Sequence, residues 1–258
     1  MIMTGMTGEE HMTREELRNT LFELADAGYK EFNDKLVPGT GVTIGVRIPK
    51  VRETARKAAK GEFRRLLTEL LEAPEDSLYQ EERMTVGMII GYAAMDFEER
   101  TEWLDRYIPR INSWAVCDCG NSTMKFFLKE QERGFAYVCG WLKSRKEYEL
   151  RFAVVTLMEY FTNETYIDRL LEIYAGIRHE GYYVKMAAAW AVSVCYVKFP
   201  EKTLALLKKE SEETGGLEDW THNKAIQKIR ESRRVPEGEK EMLNRLKRKL
   251  QREGRENM

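Results

Sequence analysis

The stretch EYELRFAVVTLMEYF, residues 147–161, is the segment that decides the fold. Its apolar residues recur at spacings of three and four, which predicts an amphipathic helix that packs one face against its neighbours. Segments of the same kind start again near residues 182 and 218, so helix pairs recur at a period of about 35 residues. This period is typical of helical-repeat proteins, in which each pair buries its apolar face on the next pair.

The rest of the chain shows the same helical spacing, and strand-like alternation is scarce. Proline and glycine mark the joints between helices: Pro74, Gly181, Pro200, Gly215, Gly216 and Pro236. The predicted helices span residues 62–72, 77–94, 97–108, 112–129, 131–143, 147–161, 164–177, 182–197, 200–213, 218–232 and 236–252. The sequence therefore predicts an all-α protein whose stacked helices form a curved solenoid, with a compact irregular helical bundle as the alternative.

The N-terminal region predicts one helix followed by a loop. Thr13 is a good cap for a first helix, which is expected to end near Leu36 because a Pro-Gly-Thr-Gly cluster follows it. The only strand-like run, residues 42–48, is interpreted as an extended loop, and Pro49 then begins the next helix. Residues 1–12 are polar and rich in methionine, and we expect a disordered leader there and a single domain over 13–258.

Composition excludes several classes of protein. The 258 residues are 43% hydrophobic and 33% charged with only 6 prolines, which suits a helix-rich protein. No apolar run reaches the roughly 18 residues that a membrane span needs, so no membrane association is expected. The 4 cysteines and 3 histidines lack zinc-ligand spacing, so no metal is expected either. Reduced thiols and a cytoplasmic location are the default expectation.

The charge is unevenly distributed along the chain. The formal net charge is -1, but residues 224–256 hold twelve Lys/Arg and six Asp/Glu, a local charge of +6 on a body of -7. A basic end on an acidic body predicts either a phosphate-binding surface or a solvated terminal helix.

Two tryptophans and an aspartate are the candidate site residues. Trp114 and Asp118 are four residues apart and lie one turn apart on the same face of a helix. Trp190 follows three alanines, which allow close approach of a partner helix or a ligand. An aromatic pair near a carboxylate is a plausible binding site for a cationic group, because aromatic faces attract cations. Plain core packing is the competing interpretation.

The chain resembles the AlkD-type DNA alkylation repair proteins, which are DNA glycosylases built from HEAT-like repeats. The similar segments are Gly45 to Arg52, with Gly-x-x-x-Pro-x-x-Arg; Trp114 to Asp118, with Trp-x-x-x-Asp; Leu150 to Val154, with Arg-x-Ala; Val184 to Trp190, which matches the helix of the family's second tryptophan; and Asn223 to Arg230. Their order and spacing carry the resemblance, because each segment is weak alone.

The resemblance implies an activity and roles for residues of this chain. The family's active members excise cationic alkylated purines, such as 3-methyladenine and 7-methylguanine, from double-stranded DNA without a metal or organic cofactor. Trp114 and Trp190 would pack against the deoxyribose of the lesion, and Asp118 would stabilise the positive sugar and position water. The expected DNA contacts are Arg151, Lys185, Lys224 and Lys228. A monomer is expected.

One element of the family is predicted to be missing. Active relatives have a second short helix between the first helix and the Gly-x-x-x-Pro segment, and residues 31–43 offer no room for it if the first helix runs to Leu36. Three functions are therefore weighed: a lesion-specific glycosylase, a non-catalytic DNA-binding relative, and a HEAT-repeat scaffold for protein partners. Trp103, Trp141 and Trp220 are assigned to the core.

Overall fold

The computed structural model describes residues 12–36, 41–210 and 215–249. Within these ranges the chain forms fourteen α-helices and no β-strand, which confirms the all-α prediction. The sole β-type pairing among them is an isolated bridge between Ala25 and Val46, in the region interpreted as an extended loop. The predicted leader, apart from Met12, and residues 37–40 of the predicted breaker lie outside the described residues.

The helices belong to two compact units, one ending at Tyr137 and the other starting at Val138. Unit 1 contains α1 (Arg14–Glu23), α2 (Ala27–Leu36), α3 (Ile48–Ala58), α4 (Phe63–Glu72), α5 (Gln80–Tyr92), α6 (Phe97–Tyr107), α7 (Trp114–Asn121) and the start of α8 (Gln131–Trp141). Unit 2 contains α9 (Glu147–Phe161), α10 (Ile167–Gly176), α11 (Tyr182–Lys198), α12 (Pro200–Leu207), α13 (Asp219–Glu231) and α14 (Glu237–Arg245). The single domain over 13–258 stays a prediction.

Every second helix packs against the next within each unit. In unit 1, α5 makes its most extensive contacts with α3 and α7, and in unit 2, α11 does so with α9 and α13. The intervening helices α4, α6, α10 and α12 pack against the side of this layer. This is the stacking of helix pairs that the periodicity predicted.

Ion pairs between the intervening helices repeat the period of the sequence. In unit 1, Arg64 of α4 binds Glu99 of α6 at 2.7 Å, 35 residues away. In unit 2, Lys202 of α12 binds Asp168 of α10 at 2.7 Å, 34 residues away. Equivalent positions of successive helix pairs therefore meet, although the sequence shows no residue-by-residue repeat.

The prediction of one N-terminal helix, and with it of a missing second helix, is wrong. Helix α1 begins with the predicted Thr13 cap, whose hydroxyl accepts the Glu16 N–H, but it ends at Glu23. A second helix, α2, follows, and the Asp26 carboxylate accepts the Tyr29 N–H at 2.9 Å as its cap. Asp26 also donates its own N–H to the Gly45 carbonyl at 3.0 Å. The apolar spacing continues across this break, so the pattern did not reveal it. An Asp cap can separate two helices without a proline between them.

A second correction concerns residues 112–129, which were predicted as one helix. Helix α7 ends at Asn121, and a 3-10 turn, Lys125–Leu128, follows. The hydroxyls of Ser122 and Thr123 donate to the carbonyls of Cys119 and Gly120 at 2.8 and 2.7 Å. These bonds occupy the last carbonyls of the helix, so the helical ladder stops there.

The Gly-x-x-x-Pro segment has a structural explanation. Gly45 has a φ of +95°, a region that residues with a side chain rarely adopt. The carboxylate of Glu81, which is 2% exposed, accepts the N–H groups of Ile44, Gly45 and Val46 at 2.9, 2.7 and 3.1 Å. Pro49 lies in the first turn of α3, as predicted. The loop is thus fixed between α2 and α3.

Candidate active site

Helix α7 carries the first two candidate residues, and its N-terminus is anchored by Ser113. The Ser113 hydroxyl accepts the Val116 N–H at 3.2 Å and donates to Gln80 of α5 at 3.1 Å. Ser113 is fully buried, so this cap fixes where α7 begins and where Trp114, its first residue, points. Serine is among the residues that N-cap positions prefer, so the sequence at 113 fits this role.

The opposite face of α7 is locked against α5 by two glycines. A β-carbon on Gly87 would lie 3.0 Å from the Cα of Gly120 and 2.5 Å from the hydroxyl of Tyr107. Tyr107, 2% exposed, donates that hydroxyl to the Val116 carbonyl at 3.0 Å. The close approach of two backbones holds α7 rigidly in unit 1.

Trp114 and Asp118 lie on the open side of α7. Ala115, Val116 and Cys117 are buried, whereas Trp114 and Asp118 are both half-buried. Trp114 is therefore not a plain core residue. The indole and the carboxylate present part of their surface at one turn's spacing, as the sequence predicted.

One cationic side chain of α3 contacts the C-terminal end of α7, and a second lies one turn further along α3. Arg52 of α3 donates to the Ser122 hydroxyl at 2.6 Å and to the Tyr92 hydroxyl at 3.4 Å. Arg56 stacks over the ring of Tyr92, 4.8 Å from its centroid. Burial raises the pKa of the Cys119 thiol to about 11; the positive charge of Arg52 opposes this shift and the negative charge of Asp118 adds to it. Sequence reasoning missed Arg52 as a site residue, because only its place in the Pro-x-x-Arg pattern was visible.

Trp190 of unit 2 lines a cavity of about 340 Å³ together with basic residues of α11 and α13. Lys198, Lys228 and Arg234 line the same cavity, and among the described residues Glu231 is the one carboxylate that lines it. Trp190 is half-buried, so it too is not a plain core residue. Lys198 and Arg234 were not predicted as site residues, since nothing in the sequence links them to Trp190.

Three of the predicted DNA contacts lie close together in unit 2. Burial lowers the pKa of Lys228, and the positive charges of Lys224 and Arg151 lower it further against the opposing effect of Glu231. Arg151 itself is 5% exposed and donates to the Tyr183 carbonyl at 2.7 Å. Arg151 is therefore not an open side chain at the surface, and it contributes positive potential from inside the helix stack.

Lys185 is engaged differently from the other lysines. Its Nζ lies over the ring of Trp220, 5.5 Å from the centroid, in a cation-π contact. The assignment of Trp103, Trp141 and Trp220 to the core is wrong, because all three are half-buried. The Trp103 indole donates to Glu99 at 3.3 Å and supports Arg106 over its ring, so it belongs to the ion-paired surface of α6.

His222 lies in the first turn of α13. It is fully buried, and its Nε2 lies 2.9 Å from the Leu246 carbonyl. Burial lowers its pKa from the ordinary value.

The described residues contain no group of three or more His, Cys, Asp or Glu side chains able to hold a metal ion. Among the helices of the same ranges, none is both long and apolar enough to cross a membrane.

The fold and these residues define an all-α helical-repeat protein with a half-exposed tryptophan and carboxylate on one helix of unit 1, and a tryptophan in a basic cavity of unit 2. The family model described as DNA alkylation repair enzyme matches residues 17–229. The chain belongs to that family, as the resemblance indicated, and its membership supports a role in DNA alkylation repair with DNA as the partner. No curated protein matches the chain significantly.

Proposed function

We propose that this protein is a DNA glycosylase that excises cationic alkylated purines, such as 3-methyladenine and 7-methylguanine, by hydrolysing the N-glycosidic bond. The observation that carries the proposal is the placement of Trp114 and Asp118 on the open face of α7, whose other faces are buried and locked. A helix fixed in this way supports a preorganised pair of side chains.

The chemistry requires little beyond such a pair. As the bond between C1′ and the base nitrogen breaks, its electron pair neutralises the cationic base, which leaves without needing a proton. Positive charge then develops on the deoxyribose, and the Asp118 carboxylate stabilises it before water adds to C1′. An indole face contributes roughly 0.5–2 kcal/mol toward holding a cation, so Trp114 would act in the same direction.

The charges of unit 1 are compatible with a polyanionic substrate. Several carboxylates of residues 62–102 are neutralised within the helix layer of α4, α6 and α8: Glu99 binds Arg64, Glu72 binds Arg106 and Glu98 binds Arg133. The carboxylate of Glu81 is buried and accepts hydrogen bonds from backbone N–H groups. Arg52 of α3 instead binds Ser122 at the end of α7, so a positive charge lies near the helix that carries Asp118.

Base release from duplex DNA that carries 7-methylguanine tests the proposal, with the wild-type protein compared with Asp118→Asn. Asn keeps the size of the side chain and removes its charge, so folding is expected to be unchanged. Release by the wild type alone supports a glycosylase that uses Asp118. Equal release by both proteins removes Asp118 from the mechanism.

A non-catalytic DNA-binding relative is the second candidate, and the basic surroundings of Trp190 favour it. Binding to duplex DNA without release of any base would support this candidate. A protein without either property would leave a scaffold for protein partners, the third function weighed from the sequence.

A further inference from the structure

A second basic cavity lies at the C-terminal end of unit 2, partly outside the residues that the family model matches. It has a volume of about 540 Å³ and lies between the end of α12, the start of α13 and the segment that follows α14. Its basic lining residues are Lys208, Lys209, Arg245, Lys247, Arg248 and Lys249. The family match ends at residue 229, so four of these six lie beyond it.

Two carboxylates lie among the described lining residues of this cavity, and one arginine engages both. Arg248 binds Asp219 at 3.0 Å and approaches Glu210 at 3.9 Å. Its guanidinium also donates to the carbonyls of Leu217, at 2.6 Å, and Lys209. Arg248 is therefore a structural residue, and the six cations and two carboxylates among the described lining residues leave a net charge of +4.

The five remaining cations are exposed and far outnumber the one carboxylate charge that Arg248 leaves unbalanced. They are Lys208, Lys209, Arg245, Lys247 and Lys249. Over the ranges that the structure describes, none of the five takes part in an ion pair. Positive charges gathered at one cavity repel each other, so the binding of an anionic ligand is favoured there.

The segment after α14, which carries Lys247 and Lys249, is held on α13 by hydrogen bonds. The amide of Asn223 donates to the Arg248 carbonyl and accepts the Arg248 N–H, both at 2.8 Å. The buried His222 ring contacts the Leu246 carbonyl at 2.9 Å. The positions of Lys247 and Lys249 are thus fixed by their neighbours, which lowers the entropic cost of binding a ligand.

We propose that this cavity binds the phosphate backbone of duplex DNA, at a contact separate from the one that Trp190 and Lys228 line. The ten lining residues include no aromatic side chain, so they offer no surface on which an unpaired base would stack. Exposed lysines and arginines without base-reading partners suit backbone phosphates, whose binding releases counterions. The inference rests on the proposed DNA-directed function and extends the DNA contact to residues beyond the family match.

The test compares Arg245→Gln/Lys247→Gln with Lys202→Gln/Lys240→Gln. Both double variants lose two positive charges from unit 2, but Lys202 and Lys240 are already paired with Asp168 and Glu237. Binding of undamaged duplex DNA is measured by fluorescence anisotropy between 50 and 200 mM NaCl, with circular dichroism as the check on folding.

Two phosphate contacts contribute about 1.8 to the slope of log K against log salt. The Arg245→Gln/Lys247→Gln variant is expected to lose this part of the slope. Over the fourfold salt range its affinity for DNA should therefore fall about 12-fold less than the affinity of the wild type does. The control keeps the wild-type slope. An unchanged slope in the test variant, an equal loss in both variants, or no duplex binding by the wild type overturns the inference.

A single-turnover assay at saturating protein on 7-methylguanine DNA separates this inference from the proposed activity. The Arg245→Gln/Lys247→Gln variant is expected to excise at the wild-type rate, because neither residue belongs to the candidate active site. Absence of excision in the wild type together with the slope difference would remove the glycosylase and leave the second phosphate contact standing.

Discussion

Gly87 of α5 and Gly120 of α7 meet so closely that a β-carbon on Gly87 would lie 3.0 Å from the Gly120 Cα. The hydroxyl of Tyr107 occupies the remaining space, 2.5 Å from the same position. This contact sets the distance between the two helices and thereby the position of Trp114 and Asp118 on the far side of α7. The candidate site of unit 1 depends on residues that never touch a substrate.

Gly87→Ala is therefore expected to destabilise the protein by about 1–3 kcal/mol, because a methyl group has no room in the contact. Base release should fall as well, since α7 has to shift. Gly140→Ala is the matched control: it lies in α8, and a β-carbon there has nothing within 4 Å. That variant is expected to gain about 0.5–1 kcal/mol from helix propensity. Urea unfolding measures both, and equal stability of the two variants would contradict the role given to Gly87.

Glu81→Gln tests the buried carboxylate that holds the loop before α3. The charged group accepts three backbone N–H groups, and an amide oxygen accepts them less strongly while its NH₂ opposes one of them. The expected loss is about 2–3 kcal/mol. Glu102→Gln, at an exposed position of α6, is expected to stay within about 0.5 kcal/mol of wild type. Denaturant midpoints at neutral pH give both values; a loss below that of the control would rule out an anchoring role for Glu81.

His222 predicts a loss of stability in acid. Its pKa is lowered in the folded state, chiefly by burial, from an ordinary value of 6.5. Because the pKa of His222 is lower in the folded than in the unfolded protein, folding favours the neutral ring. The stability that this ring contributes is fully present above pH 6.5 and is lost as the pH falls through the folded pKa. His222→Gln keeps a donor for the Leu246 carbonyl and cannot be protonated. The thermal midpoint of wild type should therefore fall more steeply than that of the variant between pH 7 and about 5. Parallel curves would exclude His222 as the cause.

The sequence predicted the parts of this molecule that depend on local patterns. Helix spacing gave the bounds of α9, α11 and α13 almost to the residue, and the Trp114–Asp118 spacing gave their common face. It failed where one polar side chain decided the outcome, as at Asp26, whose carboxylate starts α2. It also missed Lys198 and Arg234, because their convergence on Trp190 depends on how α11 and the end of α13 pack, which no spacing encodes.

Lys228→Gln and Asp118→Asn are expected to separate DNA binding from chemistry. Lys228 lies in the Trp190 cavity, so its loss should weaken binding to duplex DNA and make the salt slope shallower by about 0.9, the value for one phosphate contact. At saturating protein, its single-turnover excision rate should match wild type, because an interaction equal in ground and transition states changes affinity alone.

Asp118→Asn should bind DNA as wild type does and lose excision by about 10²–10³-fold, the effect of removing one electrostatic partner of the transition state. Anisotropy and base release on the same 7-methylguanine duplex measure both quantities. A Lys228→Gln protein that binds normally but excises slowly would place Lys228 in the chemical step and contradict the division of roles.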